Sequence, residues 1–93
     1  MRVIEYDSAK SLQNELLRGL SFERAGDFNW DSAIYYPDTR RDYGEERIIG
    51  VGFLDNRLHV LVHTRRAHVY RIISLRKASR KEVLLYVHQT ALH

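Results

Sequence analysis

The sequence predicts an α+β domain, a mainly antiparallel sheet with two helices ahead of it and one behind, and three observations carry that reading. Apolar residues alternate on both sides of Asp55-Asn56, two residue types that tolerate positive φ, which is the signature of a β-hairpin. A further run, Val69 to Leu75, is β-branched and aromatic and leads directly into Arg76-Lys77. Capped helical patterns flank the strands, the clearest being Ser79-x-x-Glu82 ahead of Val83, Leu84, Tyr86 and Val87.

In chain order, Val3, Ile4 and Tyr6 form a short strand ending at Asp7, and Ser8 caps a helix over Ala9 to Leu17. Leu12, Leu16 and Leu17 supply its apolar face, and Gly19 stands where a helix end favours the left-handed conformation. Ser21 starts a second, short helix ending near Phe28. Trp30, Ala33, Ile34, Tyr35 and Tyr36 then form an apolar patch read as a short strand closed by Pro37. The polar connection Asp38 to Glu46 belongs at the surface, near the start of the central hairpin. The expected order is β-α-α-β-β-β-β-α, with the helices on one face of the sheet.

With Asp55-Asn56 as the loop, Leu54 faces Arg57, Phe53 faces Leu58, Val51 faces Val60 and Ile49 faces Val62. That face is wholly apolar and is expected against the first and last helices. The opposite face sets Leu54, Gly52, Gly50 and Ile48 against Arg57, His59, Leu61 and His63, and its glycines leave room for a ligand. The register of the next strand stays open. A two-residue loop at Arg66-Ala67 puts Tyr70, Ile72, Ser74 and Arg76 on the glycine face, whereas a loop one residue longer puts Arg71 there.

The 93 residues make a single domain, residues 1–93, with one hydrophobic core. No apolar run approaches 18 residues, and Met1 leads into a charged strand rather than an apolar leader, so a cytoplasmic protein without a membrane span is expected. The absence of cysteine removes disulfides, thiolate chemistry and the commonest zinc sites. Charge is divided unevenly: residues 1–46 hold 6 Lys/Arg against 10 Asp/Glu, and residues 47–93 hold 9 against 2, so a net of −4 precedes one of +7. A basic half of this kind suits a phosphate-rich partner.

Arg65, Arg66, Arg71, Arg76, Lys77, Arg80 and Lys81 fall within seventeen positions. Guanidinium groups grip phosphate bidentately and keep their charge, which serves RNA binding and stabilises a pentacovalent phosphate. His59 and His63 share a strand face as a candidate general acid and base, although roughly 13 Å separates residues four apart along a strand. Glu45 and Glu46 are candidate bases, or surface partners for arginines. Tyr43 is placed to stack on a base, whereas Tyr86 lies on the apolar side of its helix. No phosphate-cradling glycine loop or nucleophile triad is present.

Asp38-Thr39-Arg40-Arg41-Asp42-Tyr43-Gly44-Glu45, Arg71-Ile72-Ile73-Ser74-Leu75-Arg76-Lys77-Ala78 with Glu82, and Ser21-Phe22-Glu23-Arg24-Ala25 resemble the D-x-R…YGE, RIISxRxA…E and SFEEA signatures of BrnT-type toxins. The likeness spans Asp7-Ser8-Ala9-Lys10 and Asn14 to the last helix. It implies a RelE-like fold and a metal-independent endoribonuclease without cofactor. It also implies an RNA cut by its own 2′-hydroxyl, growth inhibition, and neutralisation by a BrnA-type antitoxin that supplies DNA binding. Arg65, Arg71 and Arg76 are the expected catalytic residues, converging on one phosphate, with Arg40, Lys77, His63 and Glu45 holding substrate. Arg71 and Arg76 have opposite strand parity unless the strand ends or bulges between them, and a bulge near Ser74 would let both point one way. Where the family commonly has Lys-His-Gly, this chain has Leu17-Arg18-Gly19, a cation that is no base at neutral pH. The alternative is a catalytically weak binding module acting only within a repressor complex. A DNA-binding protein in its own right is disfavoured, since no recognition helix carries the basic residues.

Overall fold

The computed structural model describes residues 2–91. Five strands, β1 (Val3–Glu5), β2 (Ile34–Pro37), β3 (Ile48–Leu54), β4 (Arg57–Arg66) and β5 (Val69–Lys77), form one sheet in the order β1-β5-β4-β3-β2. Only β1 runs parallel to its neighbour, β5. Helix α1 (Ser8–Arg18) and a 3₁₀ helix (Phe22–Asp27) precede β2, and helix α2 (Arg80–Ala91) follows β5. The element order agrees with the sequence reading.

The central hairpin has the anticipated register, Leu54 with Arg57, Phe53 with Leu58, Val51 with Val60 and Ile49 with Val62. Asp55 and Asn56 both take positive φ, 53° and 64°, as a type I′ turn requires. The next turn is Ala67-His68, and Arg66 pairs with Val69. Tyr70 and Ile72 therefore fall on the glycine face, opposite Arg65 and His63. A register shift between Val62 and His63 then inserts one residue into β5, so Val62 meets Ser74 and Val60 meets Arg76. Beyond the bulge, Leu75 joins the glycine face and Arg76 joins the apolar hairpin face.

The sheet is covered on both faces, not one. On the apolar face Val51, Leu58 and Val60 are buried with Tyr86 of α2, and Ile34, Tyr36, Ile49, Ala78 and Val83 pack around them. The first helix takes no part in that cluster. It lies with the 3₁₀ helix over the glycine face, where Leu20, Phe22, Ala25, Phe28 and Trp30 enclose Leu54, Leu61, Ile72 and Leu75. The space read over the glycines is filled from within the chain. A Cβ on Gly52 would lie 2.7 Å from the Ala33 Cβ and 2.8 Å from Phe28, and one on Gly50 would lie 2.9 Å from the Tyr35 ring. Of the six apolar hairpin residues, Phe53 remains 39% exposed at the hairpin tip beside Tyr86.

Helix α1 docks through polar contacts, against the expectation from its leucines. The buried Ser11 hydroxyl accepts the Phe22 N–H at 2.9 Å, and the Asn14 amide donates to the Leu20 and Leu75 carbonyls at 2.8 and 2.9 Å. Leu12, Leu16 and Leu17 consequently point outward, the last two 79% and 76% exposed. Asp7 rather than Ser8 caps this helix, its carboxylate accepting the Ala9 and Lys10 amides. Gly19 ends it at φ 73°, as read from sequence. The capping box of α2 forms as expected: Ser79 Oγ accepts the Glu82 N–H at 3.3 Å and Glu82 Oε1 accepts the Ser79 N–H at 2.8 Å. Leu84 and Val87, assigned to its apolar face, are exposed, because Tyr86 and Val83 make the contact with the sheet.

Val60→Ala should lower unfolding free energy by about 1 to 3 kcal/mol in urea denaturation, since the removed methyls leave a cavity beneath α2. Ser79→Ala should cost about 1 kcal/mol through loss of the cap, seen as a lower thermal midpoint.

Candidate active site

The apolar hairpin face continues along β4 and β5 past the first turn of α2, and there it becomes polar. The rungs Val60–Arg76, Val62–Ser74, Thr64–Arg71 and Arg66–Val69 follow one another on this face. Two adjoining clefts open over them, each of about 330 Å³. Among the residues lining the first are Tyr36, Asp38, Arg40, Ser74, Arg76 and Glu82, and the second is lined by Glu5, Glu45, Thr64, Arg66, Val69 and Arg71.

In the first cleft both arginines are held by carboxylates. Arg76 Nη1 and Nη2 donate to Glu82 Oε1 and Oε2 at 2.7 and 2.8 Å, a bidentate fork at partial burial. Glu82 thus serves twice, as the third residue of the helix cap and as the clamp on Arg76. Its carboxyl is held down at about 2, first by the Arg76 hydrogen bonds and further by those from Ser79. Arg40 Nε and Nη2 donate to Asp38 Oδ1 and Oδ2 at 2.8 and 2.7 Å. The Asp38 side chain has no exposed surface, while Arg40 is 68% exposed and presents its charge outward. Arg40 holds the Asp38 carboxyl down at about 2, and Asp38 raises Arg40 in turn. Burial pushes the Tyr36 phenol up, a shift that Glu82 reinforces and that Arg76 and Arg40 oppose.

The loop over these clefts is built by the residues that looked like a motif. Asp38 N–H bonds the Arg47 carbonyl at 2.8 Å, closing the loop base. The Arg47 guanidinium lies 3.9 Å from the centroid of the Tyr43 ring, and Gly44 turns the chain at φ 74° with its N–H on Asp42. Glu45 then stands 3.9 Å from Arg66. In the same cleft Arg71 reaches Glu5 at 3.3 Å.

The residues expected to converge do so only in part. The bulge brings Arg71 and Arg76 to one face, with Arg40 beside Arg76 and Glu45 beside Arg66. Thr64 and Val60 are four residues apart, so the Arg71 and Arg76 backbones stand roughly 13 Å apart, and each arginine lines its own cleft. Arg65 alternates to the opposite face, where its guanidinium lies 5.2 Å over the Tyr70 ring. Lys77 pairs with His59 on that opposite face. His63 is 1% exposed beneath Trp30, Tyr35 and Tyr70, and burial, helped by the charge of Arg65, pushes its pKa down to about 4. It is a neutral interior ring with no access to the cleft. Asp38 and Glu82 were missed as site residues. The i, i+2 spacing of Asp38 and Arg40 and the place of Arg76 six residues before Glu82 were the available signals. Among the described residues, no three His, Asp or Glu side chains gather in a metal-binding cluster.

Because the Glu82 carboxyl falls from an ordinary 4.5 to about 2 on folding, its contribution to stability is complete above 4.5 and is lost as pH drops through about 2. Glu82→Gln should lower the thermal midpoint at pH 7 and flatten its decline between pH 5 and 2, measured by circular dichroism.

A search of curated proteins gives no match. A family model described as "Ribonuclease toxin, BrnT, of type II toxin-antitoxin system" matches residues 6–82, from the end of β1 through the loop of Asp38 and Arg40 to the clamp at Glu82. An antitoxin partner and an RNA substrate accompany that description, and no helix among the described residues is long and apolar enough to cross a membrane. With its RelE-like arrangement of helices around an antiparallel sheet, the chain belongs to the BrnT family of ribonuclease toxins of type II toxin-antitoxin systems.

Proposed function

We propose that RNA is cut on the face shared by Arg40, Arg71 and Arg76, by metal-independent attack of its own 2′-hydroxyl, and that a BrnA-type antitoxin neutralises the toxin and supplies DNA binding. The observation that carries the reading is the pair of clamped arginines: Arg76 on Glu82 and Arg40 on Asp38 border one cleft with their guanidinium planes already oriented. In the reaction the 2′-oxygen bonds to phosphorus, the 5′-oxygen departs, and a 2′,3′-cyclic phosphate and a 5′-hydroxyl end result. Negative charge grows on the non-bridging oxygens, where Arg76 and Arg40 donate hydrogen bonds. Donors fixed before the reaction need no reorganisation as that charge develops. Arg71, with Arg66 beside it, holds a flanking phosphate.

His59 and His63 sit on the other face of the sheet, so the proton of the 2′-hydroxyl passes to solvent and the leaving 5′-oxygen takes one from it. Electrostatic stabilisation and positioning carry the rate. That fits the Leu17-Arg18-Gly19 sequence, which offers no neutral base.

Arg76→Ala should reduce cleavage of a fluorogenic oligoribonucleotide by about 10²- to 10³-fold, the range seen when one oriented donor is removed. Arg71→Ala should raise KM more than it lowers kcat, and Arg57→Ala, at the distant hairpin tip, should change neither. Circular dichroism and antitoxin binding check that each variant is folded. If Arg76→Ala cleaves like the parent while folded, this face is not the site. If the parent itself is inert toward RNA but represses with its antitoxin, the chain is the binding module of the second reading.

A further inference from the structure

On the opposite face, at the end of the sheet, a further and smaller opening of about 190 Å³ is lined by Arg2, Trp30, Tyr35, Ile48, His63, Arg65 and Tyr70. Its walls are aromatic and its charges are cationic. Trp30 stands edge-on to Tyr70 and to His63, with centroids 5.0 and 5.1 Å away, and Tyr35 is edge-on to His63. Two guanidiniums flank the Tyr70 ring, Arg65 at 5.2 Å and Arg2 at 5.9 Å. Arg2 shares its charge with Asp31 at 2.9 Å, whereas Arg65 has no carboxylate partner among the described residues. The volume is below the ~300 to 1,000 Å³ of pockets that hold drug-sized ligands, and suits one ring system.

His63 forms the floor of the opening: its ring is 1% exposed and its Nδ1 is inaccessible to solvent, so it packs beneath the aromatic walls and leaves Tyr35, Tyr70 and the arginines to meet a ligand. Flat rings beside arginine planes are the means by which proteins hold unstacked bases of single-stranded RNA.

We propose that this opening binds one nucleotide of the RNA, its base against Tyr35 and Tyr70 and its phosphate on Arg65 and Arg2, so that the toxin reads a base flanking the cut. The inference rests on the reading that RNA is the substrate. The chain path supports it: Arg65 enters this opening while its neighbours Thr64 and Arg66 line the cleft of Arg71 on the other face. A strand laid over the Ala67-His68 turn meets both. Arg65 is then a binding and specificity residue, separate from the phosphate undergoing attack.

Trp30 is the only tryptophan, so its fluorescence reports occupancy of the opening directly. The full chain is titrated with each of the four nucleoside 5′-monophosphates and with ribose 5-phosphate. Saturable quenching by at least one nucleotide is expected, with ribose 5-phosphate at least about tenfold weaker, as loss of base stacking requires. Arg65→Ala, a change at an exposed side chain, should weaken nucleotide binding by about tenfold and raise KM for RNA with kcat little changed. Absence of saturable quenching, an equal response to ribose 5-phosphate, or an unaltered affinity in Arg65→Ala overturns the proposal. The quenching is also measured in Arg76→Ala. Quenching absent while Arg76→Ala has lost cleavage refutes this pocket alone, and quenching present while Arg76→Ala still cleaves refutes the cleavage face alone.

Discussion

One inserted residue in β5 decides how the two faces of this sheet differ. Ile72 and Leu75 are both core residues beneath the 3₁₀ helix, yet residues three apart on a regular strand point to opposite faces. The bulge opposite Val62 and His63 resolves the conflict, and in doing so it turns Arg76 away from that core and onto the side of Arg71. Packing on one face and charge placement on the other are therefore the same event. Without the bulge, either Leu75 would leave the interior and Arg76 would be driven into it, or Ile72 would leave and Arg71 would turn inward.

The arginines so placed are held by partners that the fold already needs. Glu82 caps α2 through Ser79 and clamps Arg76, so the start of the last helix and the cation at the end of β5 are fixed together. Asp38 takes the same part for Arg40 at the exit of β2, with its carboxylate wholly covered and its guanidinium facing outward. A carboxylate without exposed surface is costly unless paired and hydrogen-bonded, and here the pairing is bidentate. The side-chain entropy of two long arginines is spent in folding rather than at the moment RNA binds.

The second face is arranged differently. Arg65 lies over the Tyr70 ring, Arg2 is shared between Asp31 and the Trp30 ring, and His63 is neutral and interior. Arg76 and Arg40 on the α2 side are each gripped bidentately by one carboxylate, a contact that Arg65 lacks among the described residues. Alternation along β4, from Thr64 to Arg65 to Arg66, is what divides the basic cluster between the two.

Much of this protein was determined by local sequence alone. The type I′ turn at Asp55-Asn56 and the register it imposes, the Gly19 helix end and the Ser79–Glu82 capping box all rest on contacts close in sequence, where turn chemistry and period decide. The motif residues that resemble the family were equally plain, since they need only be read. Tertiary structure decided the rest, because each answer depends on what a distant segment presents. The leucines of α1 face outward because Ser11 and Asn14 find backbone partners in Phe22, Leu20 and Leu75, which no periodicity within the helix reveals. The glycine face is filled because Phe28, Ala33 and Tyr35 arrive over Gly52 and Gly50 from elsewhere in the chain. Which arginines share a cleft was settled by an Ala67-His68 turn with no turn signature at Ala67; the bulge that follows lies beside Ser74, where the opposite parity of Arg71 and Arg76 pointed, and its place fits the burial of both Ile72 and Leu75 under distant segments.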